Sequence, residues 1–316
     1  MILALDLGGT KTTAALVDGA RIHRIETGPT PAIEGADAVL ANALELGRQV
    51  VQGAPLTSVG IASAGVIDSA TGAVESATDA LPGWAGTRVA EAFEKEFGAP
   101  ARALNDVHAH GLGEALHGAG AGYPSLLLVA VGTGIGGAHV VDGHVLTGAH
   151  HVAGHVGHVP VPEAAGVPCP CGRSGHLEGF ASGPGVLAAY RRAGGHATDT
   201  REVAALAAAG DELACGTLVT AGRATGRVLG GLLNVFDPAV AVVTGGVAAI
   251  GPLWWDALRD GVANDAMDNV ASTPVRPAGH GVNAALLGAA HWSTSAHRDE
   301  HQRNVAHTTS RTAGHD

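Results

Sequence analysis

Apolar runs separated by glycine turns recur along the chain and predict alternating strands and helices. In the first part of the chain the predicted strands are 2–7, 13–19, 21–27, 56–63 and 101–107. Apolar residues at helical spacing predict a helix at 36–52 and another at 88–98, which ends at Gly98.

The second part of the chain repeats this plan. The stretch 108–118 has helical spacing, and the runs 125–132 and 138–146 predict two strands around the glycine turn GTGIGG. Residues 232–248 pass from a helix through a strand into another glycine turn. Because each half has a strand, a glycine turn and a second strand, the sequence predicts two α/β lobes around a cleft.

Composition and charge narrow the class of protein. At 316 residues the chain can bury a large core, and its 48 glycines favour tight turns. A formal charge of −11 without a basic stripe argues against nucleic acid and an anionic membrane surface as partners. The sequence has no leader pattern and no long apolar run, and three cysteines are too few for a disulfide framework, which predicts a cytoplasmic protein.

Three glycine turns follow apolar strands, and their backbone amides can approach phosphate oxygens. They are DLGGTK at 6–11, GTGIGG at 132–137 and TGG at 244–246. GTGIGG satisfies the dinucleotide-binding pattern GxGxxG, but a strand rather than a helix is predicted after it, which disfavours an oxidoreductase. The predicted nucleotide-binding residues are Gly8, Gly9, Thr10, Lys11, Gly132, Thr133, Gly134, Gly136, Gly245 and Gly246, with Asp6 holding Mg²⁺ directly or through water.

Six motifs, taken in order, resemble those of the ROK-type sugar kinases. They are DLGGTK, IASAGVID, NDVHAHGLGE, GTGIGG, the block from GHVGH to CPCGRSGHLEG, and VVTGGVA. The resemblance covers residues 1 to about 290. It implies an actin-like ATPase fold of the ribonuclease H-like type, with ATP-dependent phosphorylation of a hexose in the cleft between two lobes.

The resemblance also divides the chain. The expected lobes are 1–106 and 107–281, the second with the metal-binding loop, and a C-terminal helix near 282–293 is expected to complete the first. The polar, aperiodic stretch 294–316 is predicted to be disordered. Family members that repress transcription carry an N-terminal DNA-binding module, and because Met1 is only five residues from Asp6 we disfavour a sugar-sensing regulator.

Asn105 and Asp106 stand at the end of a predicted strand, where side chains face a cleft. Phosphoryl transfer to a hydroxyl needs a carboxylate that takes the proton. The resemblance assigns that role on the 6-hydroxyl to Asp106, and sugar binding to Gly65, Asn105 and Glu178. The same Asn-Asp pair can also cap the helix that follows.

A histidine and cysteine block offers four nitrogen and sulfur ligands: His158, Cys169, Cys171 and His176. Zinc takes such a set in closed tetrahedral sites, so we expect a structural zinc that fixes a loop rich in proline and glycine. The family resembled here usually has one histidine and three cysteines, so His176 replaces a cysteine. The alternative is a zinc-free loop with two free thiols, and Cys215 is expected to be a buried helix residue.

His155 is the main indication of the sugar. Most glucokinases of the family carry a glutamate there, whereas this chain reads Ala-Gly-His155-Val-Gly-His158 and so resembles bacterial N-acetylmannosamine kinases. A neutral imidazole both donates and accepts hydrogen bonds, which suits an acetamido group better than a carboxylate does. His158 can also approach the sugar with the nitrogen that is not on zinc.

Ala80 and five histidines are expected to take no part in binding or catalysis. Ala80 stands where family members often have asparagine, so a polar contact with the sugar is expected to be lost there. Surface or packing roles are expected for five further histidines: His108, His110, His117, His150 and His151.

Together these features predict an ATP- and Mg²⁺-dependent kinase, with a structural Zn²⁺, that converts N-acetylmannosamine to its 6-phosphate. The alternatives are a glucokinase or N-acetylglucosamine kinase of the same family and, in another class, the sugar-sensing regulator. The expected partners are the sugar and ATP, and the resemblance implies a homodimer.

Overall fold

The computed structural model describes residues 1–78, 81–281 and 283–295. Ala80 and residues 296–316 of the predicted tail therefore lie outside the described residues.

The first half contains seven strands and three helices within the described residues. The strands are β1 (Ile2–Leu7), β2 (Lys11–Asp18), β3 (Arg21–Pro29), β4 (Ser58–Ser63), β5 (Val66–Ile67), β6 (Val74–Ser76) and β7 (Ala101–Asn105). The helices are α1 (Ala36–Val51), α2 (Val89–Phe97) and α3 (Asp106–His117).

The second half follows the same plan with a larger helical part. Its strands are β8 (Ser125–Val131), β9 (Ile135–Val141), β10 (His144–Val145), β11 (Val240–Thr244) and β12 (Val275–Pro277). Its helices are α4 (Leu177–Ala181), α5 (Gly183–Arg192), α6 (Thr200–Ala208), α7 (Glu212–Phe236), α8 (Pro252–Asp265) and α9 (Asn283–Thr294).

The two main sheets have equivalent strand orders. The first is β3-β2-β1-β4-β7 and the second is β10-β9-β8-β11-β12. In each, an antiparallel hairpin around a glycine turn is extended by two parallel strands. This repetition is the two-lobed α/β architecture that the glycine hairpins predict.

Both faces of the first sheet are buried at β1, β2 and β4, and the side chains of β1 alternate between two cores. Leu3, Leu5 and Leu7 of β1 pack with α1 and α2. Ala4, between them, packs instead with Leu286 of α9. The last described helix of the chain therefore covers one face of the first sheet.

Helices α3 and α9 pack against each other between the two sheets, in a core that contains Leu104, Leu112 and Leu128. Small residues allow this close approach. A methyl group added at Gly113 would overlap the backbone of α9, and one added at Gly288 would overlap the backbone of α3. The N-terminus of α3 consequently lies where the two lobes meet.

The structure adjusts several sequence predictions. The region after β4 contains a short β5–β6 hairpin that the apolar pattern did not indicate. Helix α9 extends to Thr294, one residue into the predicted tail. Cys215 lies in α7 as predicted, but it is half-buried, with Sγ 3.4 Å from the Ala207 carbonyl oxygen.

Among the described helices, no single one combines the length and apolar composition needed to cross a membrane. Helices α6 and α7 reach that length and hydropathy only as a pair, with a bend of 117° between them.

Candidate active site

Asn105 connects three parts of the first lobe through its side-chain amide. Its Oδ1 accepts hydrogen bonds from the amides of Val107 (3.0 Å) and His108 (3.1 Å), so it caps α3. Its Nδ2 donates to the Gly65 carbonyl oxygen (3.0 Å) and to Asp106 Oδ1 (2.8 Å). Two donors and two acceptor positions are all that an amide offers, so protein groups occupy its full hydrogen-bonding capacity.

Asp106 and Asp6 form an acidic pair at the floor of the cleft, and both are partly exposed. Burial raises the pKa of Asp106 to about 6, although hydrogen bonds from Val107 and Asn105 lower it. Burial and then the nearby Asp106 raise the pKa of Asp6 to about 7, against a lowering by Lys11. Two carboxylates in such a setting favour a cation or a proton between them.

The first glycine turn joins β1 to β2 and leads away from Asp6. The Gly8 amide donates to the Lys11 carbonyl oxygen over 3.1 Å and closes the turn. Thr30 Oγ1 donates to the Gly8 carbonyl oxygen over 2.7 Å. Thr10 and Lys11 are exposed at the tip, so a hydroxyl and a cation are accessible there.

The other two glycine turns lie side by side. The Val247 amide, just after Gly246, donates to the Val131 carbonyl oxygen, just before Gly132, over 2.9 Å. Gly245 has φ of +100°, and a side chain there would overlap Val131. These turns therefore present adjacent exposed backbone segments, as a phosphate-binding surface requires.

The second glycine turn also lies close to the predicted base. A methyl group at Gly136 would lie 3.1 Å from Cγ2 of Val107, the residue after Asp106. A strand follows this turn, as predicted, so the helix that a dinucleotide-binding GxGxxG motif requires is absent at that place.

The four predicted zinc ligands lie together. One ligand atom from each of His158, Cys169, Cys171 and His176 lies within 4.8 Å of the others. Cys169 Sγ is 3.6 Å from His158 Nδ1, and Cys171 Sγ is 3.2 Å from His176 Nδ1. Sulfur and nitrogen ligands of one tetrahedral zinc are about 3.6 Å apart, given the usual bond lengths, so the donor set fits this metal.

Glu178 connects the loop of this cluster to the second glycine turn. It lies in the first turn of α4, which begins directly after His176. Its Oε2 accepts a hydrogen bond from the Ile135 amide over 2.7 Å. Fixing the cysteine and histidine loop therefore also fixes a carboxylate beside Gly134 and Ile135.

His155 is half-buried in the loop before the cluster, and its ring centroid is 6.0 Å from that of His158. Burial and then His158 lower the pKa of His155, so its imidazole is neutral at pH 7. The charge of Glu178 acts in the opposite direction and raises this pKa. His155 and His158 are thus adjacent rings in the loop that leads to the cluster.

His108 is a residue of this region whose role the sequence did not reveal. It is 2% exposed on α3, and its Nε2 lies 2.7 Å from the Ala153 carbonyl oxygen. This hydrogen bond attaches the loop that carries His155 to the helix that carries Asp106. The only sequence signal is a histidine two residues after Asp106, on the buried face of a predicted helix.

The surface or packing role expected for His151 was incomplete. Its Nε2 lies 3.5 Å from Asp68 Oδ1, in the hairpin of the first lobe, so this side chain spans the two halves. The sequence could not reveal this contact, because the partners are distant along the chain. His150, by contrast, is exposed as expected.

Known proteins are similar to this chain over most of its length. The model of the ROK family matches residues 2–296 of the chain. An N-acetylmannosamine kinase of Citrobacter koseri is 34% identical over 292 residues, which cover 91% of this chain and 97% of that protein. A glucokinase of Thermotoga maritima is 30% identical over 306 residues, covering 92% and 96% of the two chains.

Solved structures are similar over the same extent. A ROK hexokinase from Thermus thermophilus has a TM-score of 0.83 at 34% identity and covers 92% of this chain and 97% of its own. A ROK family glucokinase from Streptomyces griseus, in complex with glucose and AMPPNP, has a TM-score of 0.79 at 27% identity, with coverage of 92% and 98%. The fold is therefore the two-lobed actin-like ATPase fold of the sugar kinases, and the chain belongs to the ROK family.

Proposed function

We propose that this protein is an ATP-dependent kinase that phosphorylates the 6-hydroxyl of N-acetylmannosamine. Membership of the ROK family and likeness to sugar kinases support the general activity. The choice of an N-acetylated hexosamine rests on one observation: a half-buried histidine, His155, lies beside His158 at the position where most glucokinases of the family carry a glutamate.

Asp106 is the proposed general base. Its carboxylate takes the proton of the sugar hydroxyl while the new oxygen–phosphorus bond forms and the bond to the leaving ADP oxygen breaks. A pKa of about 6 leaves most of this carboxylate ionised at neutral pH, yet makes it a stronger base than an ordinary aspartate. Asn105 holds the carboxylate, since its amide contacts Asp106, the Gly65 carbonyl and the start of α3.

The nucleotide is proposed to bind at the three glycine turns. The phosphates would meet backbone amides of Gly8, Gly9, Gly132, Thr133, Gly134, Gly136, Gly245 and Gly246, with the hydroxyl of Thr10 and the ammonium of Lys11 at the first turn. Asp6 would hold Mg²⁺, which supplies neutralisation of phosphate charge when bound. The raised pKa of Asp6, due to burial and then Asp106, supports a carboxylate that is stabilised by a cation.

A structural zinc is proposed for His158, Cys169, Cys171 and His176. Burial raises the pKa of the Cys169 thiol, and this outweighs the lowering by a backbone hydrogen bond from Cys171, so a cation would be needed to keep this cysteine deprotonated. Four protein ligands leave no open coordination position, which gives the metal a structural role. Through α4 the metal would hold Glu178 against the Ile135 amide.

His155 is the proposed determinant of the sugar. A carboxylate at this position would accept hydrogen bonds only, whereas a neutral imidazole can donate to the carbonyl oxygen of an acetamido group. His158 has Nδ1 on the side of Cys169, which leaves its other ring nitrogen for the sugar. Gly65 and Glu178 complete the proposed sugar site.

The test is a coupled assay of ADP production with glucose, mannose, N-acetylglucosamine and N-acetylmannosamine. The proposal expects the highest kcat/KM for N-acetylmannosamine. A clear preference for glucose would contradict the assignment of His155 and favour the glucokinase alternative. Sugar binding without ADP production would favour a sugar-sensing regulator. The homodimer and the cytoplasmic location stay predictions from the sequence.

A further inference from the structure

A second group of metal-binding side chains occurs in the described part of the chain, apart from the cysteine and histidine cluster. It consists of Asp68, Glu75 and His151, each with a ligand atom within 4.8 Å of the others. Asp68 and Glu75 lie on the β5–β6 hairpin of the first lobe. His151 lies on the loop of the second lobe that continues to His155.

We propose that Asp68, Glu75 and His151 form a binding site for a divalent transition metal that joins the two lobes at the rim of the cleft. The site is independent of the sugar and nucleotide assignments. Its donor set of one imidazole and two carboxylates suits Zn²⁺, Co²⁺, Ni²⁺ or Mn²⁺, whereas Mg²⁺ and Ca²⁺ prefer oxygen ligands alone.

The spacing of the ligand atoms supports a bridging ion. His151 Nε2 and Asp68 Oδ1 are 3.5 Å apart, which is long for a direct hydrogen bond. Nitrogen and oxygen ligands of one tetrahedral metal are about 3.4 Å apart, given the usual bond lengths, so these two side chains need almost no movement. Glu75 is exposed, and its flexible side chain can supply the third ligand by a change of rotamer.

The surroundings hold Asp68 and His151 in place. Asp68 accepts hydrogen bonds from the Ala70 amide (2.8 Å) and from Thr71 Oγ1 (2.6 Å). Burial raises the pKa of Asp68, but these hydrogen bonds outweigh burial and hold the pKa below its usual range, so the side chain is a carboxylate at neutral pH. His151 Nδ1 lies 3.5 Å from Ser69 Oγ, a hydroxyl that can orient the ring for binding through Nε2.

The donor atoms and their accessibility also suit a cation. Two carboxyl side chains and one imidazole offer the oxygen and nitrogen donors that a divalent transition metal takes. The side chains of Asp68 and His151 are 23% and 20% exposed, so an ion can enter while the site is partly shielded from solvent. Because the ligands come from both lobes, a bound ion would favour the arrangement in which the hairpin and the His155 loop are in contact.

Cobalt(II) titration of the full chain tests this proposal. We expect wild-type protein to bind two equivalents of Co²⁺, of which only the one in the cysteine cluster shows thiolate-to-cobalt absorption. His151→Ala and Glu75→Gln should each lower the affinity for the Co²⁺ ion that lacks thiolate absorption by at least about tenfold. Neither substitution should change the thiolate band. Calorimetry and metal analysis after equilibrium dialysis measure the affinity and the number of ions.

His150→Ala is the matched control, because it removes the neighbouring exposed histidine and should keep both equivalents. Circular dichroism checks that each variant is folded. The proposal is overturned if wild-type protein binds cobalt only with the thiolate signature. It is also overturned if a folded His151→Ala chain binds two equivalents as tightly as wild type.

Discussion

The Asn105 side-chain amide donates to Asp106 Oδ1 across 2.8 Å, while its own oxygen caps the helix that begins with Asp106. One side chain therefore holds the end of β7, the loop that contains Gly65, and the proposed base. The same amide is satisfied by protein groups alone, so its contribution to turnover should come from positioning the base.

Two substitutions at Asn105 separate its effect on the proposed base from its effect on the stability of α3. Asn105→Asp keeps an oxygen cap but removes both amide donors and adds a like charge beside Asp106. We expect kcat to fall by at least about tenfold with little change in the KM for the sugar. Asn105→Ala also removes the cap, which should lower the free energy of unfolding by about 1 kcal/mol. Steady-state kinetics and chemical denaturation measure both effects, and a raised KM with unchanged kcat would instead assign the amide to sugar binding.

The pH dependence of turnover should report Asp106. Burial raises its pKa to about 6, and a general base acts only when deprotonated, so kcat/KM should rise with pH up to about 6 and then level off. Below that point the expected slope is about tenfold per pH unit. Asp106→Asn should reduce kcat by orders of magnitude and keep sugar binding measurable by calorimetry. Retained turnover in that variant would remove Asp106 as the base.

The stability of the unliganded protein should depend on Asp6. Its folded-state pKa of about 7 lies above the ordinary aspartate value of 3.8. Protonated Asp6 therefore contributes fully to stability below pH 3.8, and this contribution is lost as the pH rises through about 7. Asp6→Asn removes the cost of a buried charge. We expect this variant to raise Tm by a few degrees at pH 8 and by less at pH 5, measured by calorimetry without Mg²⁺. Equal Tm changes at the two pH values would contradict this account.

The cysteine cluster should carry metal. Wild-type protein is expected to hold one zinc in this cluster, and Cys171→Ser should lose most of that zinc and lower Tm. Cys215→Ser is the matched control, because that cysteine lies in α7 outside the cluster. Metal analysis and thermal unfolding distinguish the variants. If wild-type protein contains no zinc and has the same Tm as Cys171→Ser, the alternative of a zinc-free loop with two free thiols is supported.

A substitution at His155 tests whether this residue selects the sugar. His155→Glu restores the residue of most family glucokinases and replaces a donor and acceptor with an acceptor. We expect the ratio of kcat/KM for N-acetylmannosamine to that for glucose to fall by about 10- to 100-fold. His150→Glu, in the same loop but exposed, should leave the ratio unchanged. An unchanged ratio in His155→Glu would show that another residue selects the sugar.

Most elements could be predicted from the sequence because their apolar periods are regular. The strands around the first two glycine turns and the helix ending at Gly98 follow from local pattern alone. The order of motifs led to the ROK family and therefore to the two-lobed fold, and the spacing of cysteines and histidines predicted a cluster that the structure brings together.

What the sequence could not reveal depends on contacts between distant segments. The two strands of the β5–β6 hairpin have only five residues together, too few for a clear period. The role of His108 depends on a carbonyl 45 positions away, and that of His151 on a carboxylate in the other lobe. The four hydrogen bonds that occupy the Asn105 amide likewise depend on the three-dimensional positions of Gly65, Asp106, Val107 and His108.

The position of α9 has a consequence for how the chain is made. Its Leu286 and Leu287 cover Ala4 and Ala15, and Ser293 Oγ lies 2.8 Å from Ser58 Oγ in β4. The ribosome releases the first sheet before the second lobe, yet the helix that covers one face of this sheet emerges only after that lobe. That apolar face stays uncovered while the second lobe is synthesised. The first lobe is therefore most exposed to misassembly and to chaperone binding during this period.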